Sequence, residues 1–403
     1  MADRQLIFLK ACDLGDSLVA IDEIGSGMFR IDKRDMSVHL LDRIENMGML
    51  RHVYRAVEQC DNKIFFFPAY QSLNSPLLVY HIDEQHTEYL SWGEISQNIS
   101  VRYGEMQRVK DELWLFPEEF DKHLIKFNLK NRTTDIIPQW NKAVENIVIS
   151  DTDTYIKVSN VIETQTALFH VIKETNNIIE INKENCHVNC HTVSTDKKFF
   201  IRMDYNGELF WITDSKNQGV ISWNPITQET HYYPFDILSE NLPKRDRWGK
   251  WVSHVLCGKK HLWIVPQRDG KLLKMSYETG RLEWVDIFPQ KFHIREGSSS
   301  SIGMIIRDRK IADLYPHFSN LVIHLDLDED LLLEEHEEIL LPGEWSEEEL
   351  VNYQVHYELE TDRLPFEKYL ISMMQDKDDM DKESDTFNSG ESIWHYIKNQ
   401  GSD

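Results

Sequence analysis

The sequence predicts an all-β fold, a seven-bladed β-propeller of four-stranded antiparallel blades, followed by a short α-helical acidic C-terminal tail. Three observations predict it. Short apolar runs bounded by Asp, Asn, Lys and Pro recur along the chain, the recurrence has a period near fifty residues, and each period holds about four such runs. Runs of this kind read as short strands. Four strands repeating every forty to fifty residues are the mark of propeller blades. One twisted four-stranded sheet cannot bury both of its faces, whereas a ring of such sheets can.

The unit is clearest at Asp111 to Pro138, DELWLFPEEFDKHLIKFNLKNRTTDIIP, where three apolar runs are separated by a polar loop and a polar turn. Aligned on its first run, the second strand of each blade reads Ser17 to Asp22, Lys63 to Pro68, Glu112 to Pro117, Thr154 to Ser159, Glu208 to Thr213, His261 to Pro266 and Lys310 to Pro316. The third strands end at Asp32, Asp83, Asn128, Ile172, Asn224, Ser276 and Asp326. Innermost strands are expected at Phe199 to Met203, Val252 to Leu256 and Ile302 to Ile306, and outer strands at Thr230 to Phe235 and Arg281 to Ile287. Pro at the end of a second strand (Pro68, Pro117, Pro266, Pro316) fits where the ladder no longer needs an N–H.

Leu262 to Pro289 and Leu209 to Phe235 resemble the repeats of kelch-like propellers, of bacterial sensor-kinase propellers and of streptogramin-lyase-type propellers. The resemblance covers about residues 5–341 and implies the fold. The chain departs from kelch in lacking the paired glycines. It also lacks the Trp-Asp dipeptide of WD40 blades and the Asp-box of sialidases, so the resemblance implies no catalytic residue.

Composition narrows the function classes. The formal charge is −24, and residues 326–403 carry 24 acids against 5 bases, a net −19 that leaves −5 for the rest. That balance argues against nucleic-acid binding by phosphate neutralisation. The first apolar run is too short for a signal peptide or a span, and no window of eighteen apolar residues exists. Five scattered cysteines make no disulfide framework. The expectation is a cytoplasmic, monomeric protein with no cofactor, no nucleic acid and no membrane partner.

In an up-and-down blade the loops after the second and fourth strands open on one face. The long connections, Pro68 to Pro76, Leu90 to Val101, Asn182 to Lys197, Phe235 to Lys250 and Asp286 to Ser300, are read as that face, with short turns opposite. Long loops on a rigid scaffold collect binding residues. Arg245, Arg247, Trp248, Arg268, His293 and Arg295 form a basic, aromatic group suited to an anionic ligand. Tyr70, Trp92 and Trp140 are candidates for stacking on sugar rings. The bland alternative is a solvated rim of surface ion pairs worth under about 1 kcal/mol each.

Cys186, Cys190 and His191, with His187 beside them, are the most metal-like cluster. Against it, an extended backbone sends the two cysteines one way and the two histidines the other. Asp326, Asp328, Asp330 and Glu337 resemble a calcium loop, but Leu331 stands where that loop needs Gly, so they read as a structural charge cluster. No nucleophile elbow, Walker loop or zinc-protease motif is present. The reading is a non-catalytic binding or scaffold propeller that recognises a protein partner or an anionic or glycan ligand on its long-loop face. The alternative is a propeller-type lyase or glycan-active enzyme using His and Glu there, with His187, His191, His293 and His317 available.

The propeller is expected over residues 1–342 and the acidic helical extension over 343–403. Ser346 to Glu349 forms a capping box and Pro365 suits the first position of a second helix. The charged run from Asp376 predicts a mobile segment near 376–389, and Ile393, Trp394 and Ile397 have helical spacing.

Overall fold

The computed structural model describes residues 10–21, 27–44, 54–68, 77–90, 103–118, 122–145, 147, 158–193, 200–214, 219–235, 251–267, 271–287, 302–307, 310–316 and 321–339. All of them belong to the unit Met1–Gly343. The expectations for the tail and for the strand Gln5 to Leu9 fall outside the described residues.

Seven four-stranded antiparallel sheets make a propeller, each from strands consecutive in sequence. Blade 1 holds β1 (Ala11–Asp13), β2 (Ser17–Ile21), β3 (Gly27–Asp32) and β4 (Val38–Arg43). Blade 2 holds β5 (Tyr54–Cys60), β6 (Lys63–Pro68), β7 (Leu77–His81) and β8 (His86–Leu90). Blade 3 holds β9 (Tyr103–Val109), β10 (Glu112–Pro117), β11 (Leu124–Asn128) and β12 (Thr134–Ile137), followed by the short helix α1 (Gln139–Val144). Blade 4 holds β13 (Val158–Glu163), β14 (Ala167–Ile172), β15 (Asn177–Asn182) and β16 (Val188–Thr192). Blade 5 holds β17 (Phe200–Tyr205), β18 (Phe210–Asp214), β19 (Gly219–Trp223) and β20 (Thr230–Pro234). Blade 6 holds β21 (Val252–Cys257), β22 (His261–Pro266), β23 (Lys271–Ser276) and β24 (Leu282–Asp286). Blade 7 holds β25 (Ile302–Arg307), β26 (Ile311–Pro316), β27 (Leu321–Asp326) and β28 (Leu331–Glu338).

The second strands are buried on both faces, which is why they read as continuous apolar runs; β2, β14 and β18 have no exposed residue. The outer strands β12, β16 and β20 alternate with solvent-facing side chains at the rim. Apolar layers fill the spaces between successive blades. Phe65 and Phe67 of blade 2 meet Phe127 of blade 3, with the Phe67 and Phe127 centroids 5.4 Å apart and nearly perpendicular. Burying one such ring stabilises by roughly 2 kcal/mol. On the far side of the ring, Tyr315 of blade 7 lies within electrostatic reach of Asp13 in blade 1.

Blade 4 corrects the sequence register by one strand. Its second strand is β14 and its third is β15, so Thr154 to Ser159 is not a second strand and Leu168 to Ile172 is not a third. The longest apolar run was matched to the wrong rung because the connection 138–157 before this blade is unusually long and contains α1.

The correction restores a chemical repeat in the turn between third and fourth strands. In six blades this turn opens on Asp32, Asn128, Asn182, Asn224, Ser276 or Asp326, whose side-chain oxygen accepts a backbone N–H two or three residues on. Blade 2 has His81 at the matching register, not Asp83, because Tyr80 pairs Thr87 as Phe127 pairs Thr134. Four residues beyond each opener the backbone turns left-handed, at Met36, Gln85, Arg132, Cys186, Gln228, Gly280 and Asp330, with φ between 49° and 67°. Seven equal hairpins therefore pave one face. No helix among the described residues is long and apolar enough to cross a membrane.

Candidate functional site in the axial channel

The innermost strands surround the ring's axis, and a shared defect in them sets what faces it. In blade 2 Tyr54 pairs Pro68, then the register slips and Ala56 pairs Phe67. The same slip follows Tyr103 opposite Pro117, Val252 opposite Pro266 and Ile302 opposite Pro316. Blade 5 repeats it opposite Asp214, and blade 4 opposite Ile172. Four of these six positions are proline, which has no N–H for the ladder, and the facing strand bulges.

A bulge re-aims the next side chain, and it does so at one height around the axis. That tier consists of Ala56, Glu105, Arg202, His254 and Met304, each directly after a bulge, with Asn160 at the matching place in blade 4. Lys10, one residue before the Ala11 to Ala20 pair, supplies the position in blade 1. Lys10 acts electrostatically on both Glu58 of blade 2 and His254 of blade 6, which places its ammonium toward the channel.

Within the tier, Asn160 is closed by backbone: its amide donates to the Met203 carbonyl at 2.7 Å and accepts from the Met203 N–H at 3.3 Å. Arg202 reaches from blade 5 to Glu105 of blade 3, Nη1 to Oε1 at 3.4 Å. The His254 Nδ1 is buried without a hydrogen-bond partner among the described residues. Burial first, then the charges of Arg202 and Lys10, push the His254 imidazole down to about 3, so it is neutral at pH 7.

Nearer the short hairpins the channel wall is closed. Arg307 Nη1 donates to Asp204 Oδ2 at 2.7 Å and Nη2 to the Cys257 carbonyl at 3.1 Å, while the Cys257 N–H donates to the same Asp204 oxygen at 2.6 Å. One carboxylate thus ties blades 5, 6 and 7. Arg108 donates to the carbonyls of Gln59 and Lys110 at 2.5 and 2.8 Å and lies 3.5 Å from Glu58. Burial raises the Glu58 carboxyl, with Arg108 opposing. Burial also holds the Cys257 thiol well above its usual range, so this cysteine is a packed thiol and not a nucleophile.

The sequence-predicted residues fare unevenly. Trp140 is a correction: it sits on α1 with no exposed surface, packs between blades 3 and 4 and donates its indole N–H to His170 Nε2 at 3.2 Å. Its ring is therefore core and offers no face to a sugar. Tyr70, Trp92, Arg245, Arg247, Trp248, Arg268, His293 and Arg295 lie outside the described residues.

The loop expected around Cys186, Cys190 and His191 is corrected too. Asn182 to Lys197 is not one long loop, because β16 carries the chain across the blade. Cys186 is the left-handed residue of its hairpin and packs on blade 3 side chains, and Cys190 lies on the outer strand against Asn177. His191 bonds Glu180 at 2.8 Å. Among the described residues no group of three or more His, Cys, Asp or Glu is placed to hold a metal ion. Asp326 caps its hairpin, and Asp330 turns inward to accept from the Lys260 N–H at 2.6 Å and the Trp263 indole at 3.3 Å.

Sequence reasoning missed Lys10, Glu105, Arg202 and His254. A signal for Glu105 and His254 existed: the same offset of twelve residues separates Ala56 from Pro68, Glu105 from Pro117, His254 from Pro266 and Met304 from Pro316, whereas Lys10 and Arg202 precede Asp22 and Asp214 by that offset with no proline to mark them.

No protein-family model matches the chain, and no curated protein sequence matches it either. Solved structures do. The chain is similar to a catalytically inactive virginiamycin B lyase from Staphylococcus aureus with quinupristin, at TM-score 0.53 and 9% identity over 79% of this chain and 94% of that one. It is similar to YCF48 bound to D1 peptide, at TM-score 0.54 and 6% identity over 78% and 91%. It is also similar to the computationally designed Ika8 protein, at TM-score 0.50 and 10% identity over 85% and 92%. These likenesses show the propeller fold alone.

Proposed function

We propose that this chain is a non-catalytic propeller that binds a protein partner on the face opposite the seven equal hairpins. The observation that carries the reading is the contrast between the two sets of connections. On the hairpin face all seven third-to-fourth turns share one geometry. On the other face the connections run from four residues at 173–176 to twenty at 138–157. Uniform turns serve the scaffold, and variation concentrated on one face is what a recognition surface requires.

Two further points support it. The hydrogen-bonded histidine–carboxylate pairs among the described residues, His81 with Glu88, His191 with Glu180 and His324 with Asp313, lie on second, third and outer strands of three different blades. Acid–base chemistry on one substrate needs such groups converged, which weighs against the lyase-type or glycan-active alternative. The likeness to YCF48 bound to D1 peptide adds a propeller of matching fold that holds a peptide.

Arg245, Arg247 and Trp248 in the seventeen-residue connection 235–251 are the contacts we assign to the partner. The test is affinity capture with the full chain against the Arg245→Glu, Arg247→Glu double variant. A stoichiometric partner retained by the parent and lost by the variant is the expected result. Failure to recover any stoichiometric partner, or equal capture by both proteins, overturns the reading.

A further inference from the structure

Three side chains in the bulge tier hold hydrogen-bond donors that no acceptor among the described residues uses. Arg202 has five N–H donors, and the one side-chain hydrogen bond it makes among the described residues is the 3.4 Å contact with Glu105. By comparison Arg132 is engaged by both oxygens of Glu88 at 2.8 Å, and Arg307 by a carboxylate and a carbonyl. His254 has no hydrogen bond from its ring among the described residues, and its Nδ1 is buried. Lys10 makes no ion pair or side-chain hydrogen bond among them, although its charge is felt at both Glu58 and His254.

These groups converge. Arg202 and His254 stand at the same register of adjacent innermost strands, β17 and β21, each directly after a bulge. Lys10 holds that register in blade 1, and its electrostatic reach to His254 brings it to the same side of the channel. A cation with spare donors in a half-buried wall costs desolvation that no protein acceptor returns. Leaving the half-buried Arg202 and the exposed Lys10 beside a neutral imidazole makes sense when an incoming acceptor completes them. A guanidinium fork, an ammonium and an imidazole N–H match the two coplanar oxygens of a carboxylate.

We infer that Lys10, Arg202 and His254 form a carboxylate-binding site in the axial channel. The site goes beyond partner binding on the long-connection face and stands whether or not that reading holds. The neutral state of His254 suits it, because the ring then offers one N–H to the anion and does not compete with Arg202 for Glu105. Asn160, Ala56, Met304 and Glu105 complete the tier as one closed amide, two apolar walls and the carboxylate that meets Arg202.

The test is isothermal titration of the full chain with sodium succinate and, separately, with an acetylated, amide-capped Gly-Glu-Gly peptide. Saturable one-to-one binding of either is expected, and the arm that binds tells a free acid from a peptide side chain. Arg202→Met and Lys10→Met should each weaken it about tenfold or more, the cost of one charge-assisted hydrogen bond. Lys10 precedes the first strand and is exposed, so Lys10→Met keeps the test valid should Arg202→Met fold poorly. His254→Phe keeps the ring's bulk and should weaken binding by a smaller factor. No saturable binding in either arm, or unchanged affinity in Lys10→Met, overturns the inference.

Discussion

Arg202 and Arg307 sit on innermost strands of the same ring, in blades 5 and 7, and their surroundings could hardly differ more. Arg307 is held by Asp204 and the Cys257 carbonyl, and Asp204 is held in turn by the Cys257 N–H. Among the described residues Arg202 makes one long side-chain contact, with Glu105. The same residue type serves as a cross-blade tie at one level and as a donor with capacity to spare a few rungs away. Backbone explains the difference. The tie lies where the ladder is regular, near the hairpins, and its carboxylate satisfies main-chain groups as well as a charge. The open level lies at the bulges, where the chain leaves regular pairing opposite Pro68, Pro117, Pro266 and Pro316.

The largest effect should come from cutting the tie. Asp204→Ala leaves Arg307 and the Cys257 N–H without their acceptor, and breaking a buried pair this way costs about 3 kcal/mol. Arg202→Met should cost under about 1 kcal/mol, as expected for a long, partly exposed pair. Urea denaturation of both variants measures the gap, and equal losses would erase the distinction between the two levels.

A second cut at the closed level is Gly258→Ala. A Cβ there would stand 1.9 Å from Asp330 Oδ1, so the carboxylate must leave the Lys260 N–H and the Trp263 indole. The expected loss is about 2 kcal/mol, the cost of stranding buried donors.

The hairpin face offers a test with opposite signs at equivalent positions. Gly280 and Gln228 both occupy the left-handed place, at φ 67° and 62°. Gly280→Ala should destabilise by about 1 kcal/mol, with Tyr233 3.1 Å from the new Cβ, whereas Gln228→Gly should be neutral or stabilise by up to about 1 kcal/mol. Two losses would mean that the turns are not equivalent.

The smallest effect is pH-dependent. The Glu88 carboxyl is held down at about 2 by its hydrogen bonds from Arg132, with His81 assisting. A depressed carboxyl contributes stability that is present above its unfolded value near 4.5 and is lost as the pH falls through about 2. Both side chains are 32% exposed, so screening keeps the contribution under about 1 kcal/mol. Glu88→Gln should flatten the acid limb of the stability profile between those two values. An unchanged limb would remove the Arg132 clasp as a stabilising contact.

The fold was legible because burial on both sides of the second strands writes itself as unbroken apolar runs, from Lys63 to Pro68 and from His261 to Pro266. It failed at blade 4, where the long connection with α1 displaced the count by one strand. Ile172 was the odd member among the Asp, Asn and Ser residues ending the third strands, and Asn182 is the residue that belongs there. The channel was not legible from residue types. Glu105, Arg202 and His254 are unremarkable in strands of mixed polarity, and only the pairing opposite each strand end brings them level. Trp140 was misread because a large aromatic beside a polar run looks like a surface feature, and the sequence does not reveal that His170 waits beneath it.

Among the described residues each leaf of this wheel is cut from one continuous length of chain, with no strand lent to a neighbour. No ladder therefore crosses a seam between the described strands, and side chains such as Asp204, Asp330 and Arg132 fasten one leaf to the next. New chain ends placed between two leaves, with the old ends joined, would leave every sheet whole. Ends placed inside a leaf would split one.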